Sequence, residues 1–269
     1  MPRGRTATHL VHRVDGEGVR RQPDELVVEE PLEIRLDDHL VATTMRTPGN
    51  DFELAAGLCF TDGLLVGAPV LRCRYCSDEE SASEREFNVV SVETGHRAPV
   101  PVPRLTTTTS SCGLCGSTSI EDLRERLRPL PALAPIELDV LLGVPERLEA
   151  EQGLFASTGA VHGAAAFDRS GRPVTVREDI GRHNAVDKVV GRLLLDGALP
   201  AHDLGLYVSG RASFEIVQKA WAAGFVAVVA VSAPSSLAVD AARAAGLMLA
   251  GFVRDGRMNV YAPERLDGV

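Results

Sequence analysis

The feature that most constrains the fold is a regular alternation of strand-like and helix-like segments between residues 161 and 262. Short apolar runs, such as FVAVVAVS from Phe225, alternate with stretches such as HNAVDKVVGRLLLDG from His183. In that stretch Val186, Val189, Val190 and Leu193 recur at helical spacing. The alternation predicts βαβ crossovers and an α/β fold with a largely parallel sheet covered by helices.

The first half of the chain has a less regular pattern. Residues 1–23 are polar and rich in arginine, which predicts a loose N-terminal tail. Residues 24–128 combine short strand-like runs with isolated helical stretches and are predicted to form a smaller N-terminal α+β domain. The proline-rich stretch RPLPALAPIELD then predicts a boundary, and residues 136–269 form the second predicted domain.

A helix is predicted within the N-terminal domain, starting after Asn50. Asn50 has Glu53 three residues later, as in a capping box. The helix is expected to run through LAAGLCF and to stop near Gly63. Cys59 lies on it between Leu58 and Phe60, which predicts a small buried apolar side chain.

Charge and targeting signals limit the class of protein. The net charge is -9 at pH 7, which disfavours general nucleic-acid binding. The basic N-terminus has no apolar core of a signal peptide, and the run from Phe225 is too short to span a bilayer. We therefore expect a cytoplasmic protein without a membrane partner, with its five cysteines reduced unless they carry chemistry.

Three strand-to-helix passages are the candidate ligand loops: EDIGRHN from Glu178, VSGRAS from Val208 and VSAPSS from Val231. Ligands of open α/β sheets bind where strands end and helices begin. Two of these loops place glycine before arginine, at Gly181-Arg182 and Gly210-Arg211. Free N–H groups of a helix N-terminus together with a guanidinium favour a phosphate.

These loops could also be plain helix caps, and for Ser213 or Ser235 alone that reading is favoured. The dinucleotide fingerprint GxGxxG and the GxxxxGK[ST] loop are both absent, which disfavours an ordinary dehydrogenase or NTPase. His183 is either a polar helix-start residue or a ligand contact, and His162 is expected to line the pocket. The candidate set in these loops is Gly181, Arg182, His183, Ser209, Gly210, Arg211, Ser213, Ser235 and His162.

Two CxxC pairs, Cys73/Cys76 and Cys112/Cys115, allow several interpretations. The 35 residues between the pairs exceed the usual zinc spacing, so a four-cysteine zinc site is possible but disfavoured. Cys112 and Cys115 lie in TTTTSSCGLCGSTS, a hydroxyl- and glycine-rich stretch typical of an exposed arm, residues 106–119. Thiolates there would suit nucleophilic attack or sulfur transfer.

Two known cysteine chemistries fit the pattern poorly. A thioredoxin-like centre would place CxxC at a helix start directly after a strand, whereas a Thr/Ser run precedes Cys112. A zinc deaminase needs H-x-E followed by P-C-x-x-C. Here Ala164 stands where the glutamate would be, and Ser111 precedes the cysteine.

Taken together, SCGLCG, TGAVHGAAAF, EDIGRHNAVDKVVG, SGRASFEIVQKA, SAPSSLAVD and GFVRDGR resemble, in this order, the FdhD/NarQ family of formate dehydrogenase accessory sulfurtransferases. The resemblance covers most of the chain, from about Glu29 to Tyr261. It implies a cytidine-deaminase-like three-layer α/β/α domain at the C-terminus, and a homodimer.

The resemblance also implies a function. Cys112 would receive persulfide sulfur from a cysteine desulfurase, with Cys115 as its partner. The sulfur would pass to a bound molybdenum bis(molybdopterin guanine dinucleotide), for which a guanine nucleotide is a mimic, and so serve a formate dehydrogenase apo-enzyme. The family's cofactor-binding segment matches Phe252, Val253, Arg254, Asp255, Gly256 and Arg257.

An alternative from another class is a zinc-stabilised chaperone that binds the cofactor without transferring sulfur. Cys73 and Cys76 match no motif of the family, so their role stays open, as does that of the basic N-terminus. No resident metal is expected in the preferred interpretation.

Overall fold

The computed structural model describes residues 4–76, 87–101, 120–132 and 136–263. Its strands are β1 (Thr6–Asp15), β2 (Gly18–Val27), β3 (Glu30–Leu36), β4 (His39–Arg46), β5 (Arg72–Tyr75), β6 (Val89–Glu93), β7 (His162–Phe167), β8 (Pro173–Asp179), β9 (Gly205–Val208), β10 (Ala227–Ala230), β11 (Met248–Arg254) and β12 (Arg257–Ala262). Its helices are α1 (Asp51–Thr61), α2 (Ile120–Arg126), α3 (Leu138–Glu149), α4 (Gly153–Thr158), α5 (Arg182–Leu195), α6 (Phe214–Ala223) and α7 (Ser236–Ala245).

The C-terminal half is built on a six-stranded sheet of order β12-β11-β10-β9-β7-β8. Strands β9, β10 and β11 pair in parallel, and β8 runs in the same direction. Strands β7 and β12 run the opposite way, so the sheet is mixed. The alternation of segments correctly predicted the elements, but periodicity carries no information about strand direction.

Helices cover both faces of this sheet. Alternate residues of each strand point to opposite faces, so Ala164 and Leu206 pack with α5, α6 and α7 whereas Phe167 and Tyr207 pack with α3. The C-terminal part is therefore a three-layer α/β/α arrangement. Helix α3 begins at the end of the proline-rich stretch that was interpreted above as a boundary, and it contains a further proline, Pro145.

The N-terminal part contains a four-stranded sheet of order β4-β3-β6-β5 that packs against α1. Cys59 is fully buried in this second core, as predicted. The capping box is not formed, because Asn50 has a left-handed φ of 58° and its side chain makes no cap hydrogen bond. Glu53 instead pairs with Arg177 of β8, and one of their bonds measures 2.8 Å.

The prediction of a loose N-terminal tail is wrong. Residues 6–27 form the antiparallel hairpin β1–β2, in which Leu10 faces Pro23 and Val14 faces Val19. Most of its side chains are exposed, which explains the polar pattern. The pattern was mistaken for a tail because a two-stranded ribbon buries neither face and so needs no apolar alternation.

Helices α1 and α5 join the two parts of the molecule at a close crossing. A Cβ on Gly57 would lie 1.9 Å from the carbonyl oxygen of Asp187, and one on Gly191 would lie 1.8 Å from that of Glu53. Only glycine at both positions lets the two backbones come this near. In the described ranges, no helix is long and apolar enough to cross a membrane.

Candidate functional site at one edge of the large sheet

The three candidate loops lie side by side because the strands before them share one direction. Strands β8, β9 and β10 end at the same edge of the sheet, and β7 begins there. Backbone bonds connect the segments: Ser209 N donates to Gly163 O at 2.9 Å, and Ser232 N donates to Gly210 O at 3.3 Å. The carboxyl edge of the sheet is therefore a continuous surface of loop backbone and helix N-termini.

His162 and Gly210 meet at the centre of this edge. A Cβ on Gly210 would lie 3.4 Å from His162 Nδ1, which is ordinary contact. Burial lowers the pKa of His162, and the positive charges of Arg182, His183 and Arg211 lower it further. Arg182, His183 and Arg211 therefore all lie within electrostatic reach of His162.

Arg182 is the first residue of α5 and follows Gly181, the N-cap residue. Its Nε atom is buried and has no hydrogen-bond partner among the described residues. A buried guanidinium donor without an acceptor is costly, since it loses water without a replacement. This arrangement favours an anionic ligand at the start of α5, where the helix N-terminus already attracts negative charge.

His183 is held by a carboxylate that the sequence analysis did not single out. Its Nε2 lies 2.7 Å from Glu215 Oε2 and 3.3 Å from Ser213 Oγ. Although burial alone would raise the pKa of Glu215, the hydrogen bond and charge of His183 lower it below its usual value. Because Glu215 lies two residues beyond the N-cap Ser213, its place in the first turn of α6 is the signal that could have found it.

The serines have unequal roles. Ser209 Oγ accepts a hydrogen bond from Gly163 N at 2.9 Å and so holds β7 against β9. Ser235 Oγ accepts from Ala238 N at 3.2 Å, which is the helix-cap role favoured above for that residue. Ser213 Oγ lies 3.3 Å from His183 Nε2 and so contacts the basic cluster directly.

The segment from Phe252 to Arg257 forms the end of β11 and the turn into β12. Phe252 has a left-handed φ of 54°, is partly exposed, and its N–H donates to Ser232 O at 3.2 Å. Val253, in contrast, is fully buried in the core beneath the sheet. A non-glycine residue in this conformation marks a position held by its surroundings, and here the Phe252 backbone is bonded to the β10–α7 loop while its side chain is partly exposed.

The tip of this hairpin is solvated. Arg257 lies 3.6 Å from Asp255, and about three quarters of each side chain is exposed. Gly256 has a φ of 67°, as the tight turn requires. Arg254 and Arg257 are therefore available at the end of the β11–β12 hairpin, beyond Phe252.

The cysteines divide between described and undescribed parts of the chain. Cys112 and Cys115 lie outside the described residues. Burial raises the pKa of Cys73 to about 11, and Glu93 adds to the shift, while Cys76 Sγ accepts a hydrogen bond from Arg74 Nη1 at 3.3 Å. Within the described part of the chain, no three His, Cys, Asp or Glu side chains are grouped to hold a metal ion.

The fold and this edge define an α/β protein with a basic surface formed by consecutive strand-to-helix loops. The chain belongs to the FdhD/NarQ family, whose model matches residues 27–267. It is 49% identical over 261 residues to the sulfur carrier protein FdhD of Nocardia farcinica, covering 96% of this chain and 93% of that protein. It is 48% identical over 266 residues to the protein of the same name from Streptomyces avermitilis, with coverages of 96% and 94%.

A solved structure confirms the fold. The crystal structure of a protein from Desulfotalea psychrophila, described as a formate dehydrogenase accessory protein, superposes with a TM-score of 0.73. The two share 24% sequence identity, and the match covers 97% of this chain and 99% of that one. The architecture described above is therefore that of a known, experimentally determined fold.

Proposed function

We propose that this chain is a sulfur carrier that accepts sulfur from a cysteine desulfurase and delivers it to a molybdenum cofactor for a formate dehydrogenase. The proposal that the cofactor binds here depends on Arg182, whose buried Nε has no hydrogen-bond partner within the described ranges and which lies near His162, His183 and Arg211. The names of the relatives, which are sulfur carrier proteins, support the sulfur part.

The cargo, a molybdenum ion with two pterin guanine dinucleotides, fits the chemistry of this edge. Its phosphates need several N–H donors and positive charges, which the Gly181-Arg182 and Gly210-Arg211 loops supply. A guanine ring needs a flat apolar partner, and the partly exposed Phe252 beside the β10–α7 loop offers one. In this proposal Arg254 and Arg257 extend the positive surface along the hairpin.

The sulfur step proposed for Cys112 is a thiol–persulfide exchange. The Cys112 thiolate attacks the outer sulfur of the desulfurase persulfide, a new S–S bond forms at Cys112, and the desulfurase cysteine leaves as a thiolate. For delivery, the Cys115 thiolate attacks Cys112 Sγ, so that the outer sulfur leaves as hydrosulfide and a Cys112–Cys115 disulfide forms. A cellular dithiol then reduces this disulfide for the next cycle.

Intact-protein mass spectrometry tests the sulfur step. After incubation with a cysteine desulfurase and cysteine, the wild-type chain should gain the mass of one sulfur atom, located on Cys112 by peptide mapping. Cys112→Ala should gain none because the acceptor is missing. Cys76→Ser is the matched control and should load like the wild type, since Cys76 is bonded to Arg74 in the β5 region.

Two outcomes would contradict the proposal. Undiminished loading of Cys112→Ala would show that another cysteine accepts the sulfur. Stoichiometric zinc that is lost in both Cys73→Ser and Cys112→Ser, together with no loading, would instead support a zinc-stabilised chaperone that only holds the cofactor.

A further inference from the structure

Two similar clusters of threonine, aspartate and lysine join the N-terminal part of the molecule to the helices of the C-terminal part. The first cluster is Thr47, Asp179 and Lys188, and the second is Thr61, Asp187 and Lys219. Every member is buried, with at most 7% of its surface exposed. In each cluster the threonine comes from the N-terminal part and the ion pair from the C-terminal part. The two clusters therefore have the same composition and join the same two parts.

In the first cluster, both carboxylate oxygens of Asp179 are used. Oδ2 lies 2.7 Å from Lys188 Nζ and accepts from Thr47 N at 3.2 Å. Oδ1 accepts from Gly181 N at 2.8 Å and from Asn184 Nδ2 at 3.0 Å. This aspartate therefore bonds at once to the N-terminal part and to the backbone just before Arg182.

Thr47 also makes a hydrogen bond to the backbone of the same loop. Its hydroxyl accepts a hydrogen bond from Ile180 N at 3.1 Å, and its carbonyl accepts one from Lys188 Nζ at 2.9 Å. Ile180 and Gly181 are the two residues between β8 and α5. Both of their N–H groups are thus bound inside the protein, which determines the path of the backbone into Arg182.

The second cluster makes similar bonds but away from the loops. Lys219 Nζ donates to Asp187 Oδ1 at 2.8 Å and to Thr61 Oγ1 at 2.9 Å, and Thr61 Oγ1 donates to Asp187 Oδ1 at 2.8 Å. These residues lie on α1, α5 and α6. Their bonds join helix to helix, more than one helical turn below the start of α5.

We infer that Thr47, Asp179 and Lys188 are positioning residues for the anion site, through which the N-terminal part sets the affinity of the Gly181-Arg182 loop for phosphate. This inference rests on the proposed function and deepens it. Buried ion pairs contribute little net stability compared with apolar residues, so stability alone explains poorly why this one is placed against the loop backbone. The hydrogen bonds of the second cluster join α1, α5 and α6 and not the loop backbone.

The test compares matched threonine substitutions, with GDP as the probe and calorimetric titration as the measurement. Thr47→Val keeps the shape of the side chain but removes the acceptor for Ile180 N. It should weaken GDP binding roughly three- to tenfold, because one loop hydrogen bond is lost. Thr47→Ser retains the hydroxyl and should bind GDP with wild-type affinity.

Thr61→Val is the control for a purely structural effect. It removes an equivalent buried hydroxyl and should lower the melting temperature by an amount similar to Thr47→Val, while GDP affinity stays at the wild-type value. Equal GDP affinities in the two valine variants would overturn the inference. If the wild-type chain itself fails to bind GDP, the proposed function fails, which is a different and recognisable result.

Discussion

Arg182 occupies the first position of α5, where the N–H groups of the helix and its own guanidinium attract negative charge together. Arg211 follows Gly210 in the neighbouring loop and is exposed at the same edge. The two arginines differ in burial, and this difference leads to different expectations for their substitution.

Arg182→Gln should weaken GDP binding by about 1.5–3 kcal/mol, or roughly ten- to hundredfold, because charge-assisted hydrogen bonds from a buried donor are lost. Arg211→Gln should have a smaller effect, since its exposed charge is screened by solvent. The control is Arg172→Gln, which removes an exposed arginine paired with Asp168 in the β7–β8 turn. Calorimetric titration that finds equal affinities in all three variants would argue against an anion site at α5.

His162 should make the stability of the protein dependent on pH. Burial and the neighbouring cations lower its folded-state pKa below the reference value of 6.5. Between the two pKa values of His162, the unfolded chain therefore binds more protons than the folded chain. The contribution of His162 to the free energy of unfolding is complete above pH 6.5 and is lost as the pH falls through the folded-state pKa. Melting temperatures measured from pH 8 to about pH 5 should show this loss.

His162→Gln should flatten the curve in that window, whereas His202→Gln, which alters an imidazole outside the basic cluster, should not. Saturating GDP should also reduce the loss, because phosphate charge offsets that of Arg182 and Arg211. A wild-type curve with the same slope as the His162→Gln curve would contradict the interpretation.

At the scale of elements, the crossing of α1 and α5 is the contact most sensitive to substitution. Gly57→Ala and Gly191→Ala would each place a methyl group inside 2 Å of a backbone carbonyl oxygen. Since backbone cannot move aside as a side chain can, each change should cost about 1–3 kcal/mol or more of unfolding free energy. Urea denaturation measures this cost.

Gly143→Ala in α3 is the matched control. The atoms nearest to a Cβ there belong to the flexible side chain of Arg147, the closest at 3.5 Å. Alanine also has the higher helix propensity, so this variant should be as stable as the wild type or more so by up to about 1 kcal/mol. Destabilisation of Gly143→Ala equal to that of Gly57→Ala would mean that glycine content, rather than the helix crossing, limits stability.

At the scale of the whole molecule, the two parts are joined by more than the covalent chain. The α1–α5 crossing, the pair between Arg177 and Glu53, and the two buried lysine–aspartate clusters all bridge them. Separating the two parts would break the Arg177–Glu53 pair and remove the threonine bonds of both clusters, which would leave buried polar groups without partners. The interface therefore couples the unfolding of one part to that of the other.

Calorimetry should accordingly show a single cooperative unfolding transition, although a chain of 269 residues often unfolds in stages. GDP should shift this transition as a whole, by about 2.7 kcal/mol of stability at a hundredfold excess over Kd. Two separated transitions, of which GDP moves only one, would show that the parts unfold independently.

The residues that could be predicted are those whose role shows in local order along the chain. Gly181-Arg182 and Gly210-Arg211 follow strands and precede helices, so their place at the sheet edge was predictable. Cys59 was predictable as a core residue from its apolar neighbours. Glu215, Thr47 and Asp179 were not singled out, because their partners lie in other segments and a single sequence does not reveal such pairs.

For the β1–β2 hairpin the sequence-based prediction was wrong, because its polar pattern was interpreted as a lack of regular structure. Its strands are held by backbone hydrogen bonds between residues 6–15 and 18–27, which do not depend on whether the side chains are polar or apolar. Polarity therefore reports exposure and not the absence of a strand.

By itself, the sequence determined the order of strands and helices from residue 162 to residue 262 and the polar loops between them, because periodicity, glycines and caps act over a few neighbouring residues. Only the tertiary structure decided the strand directions, the close helix crossing and the partners of each buried charge. The bond from Ile180 N to Thr47 Oγ1 joins residues 133 apart in the chain. Such contacts form only when separate segments fold onto one another and exclude water from the polar groups they enclose.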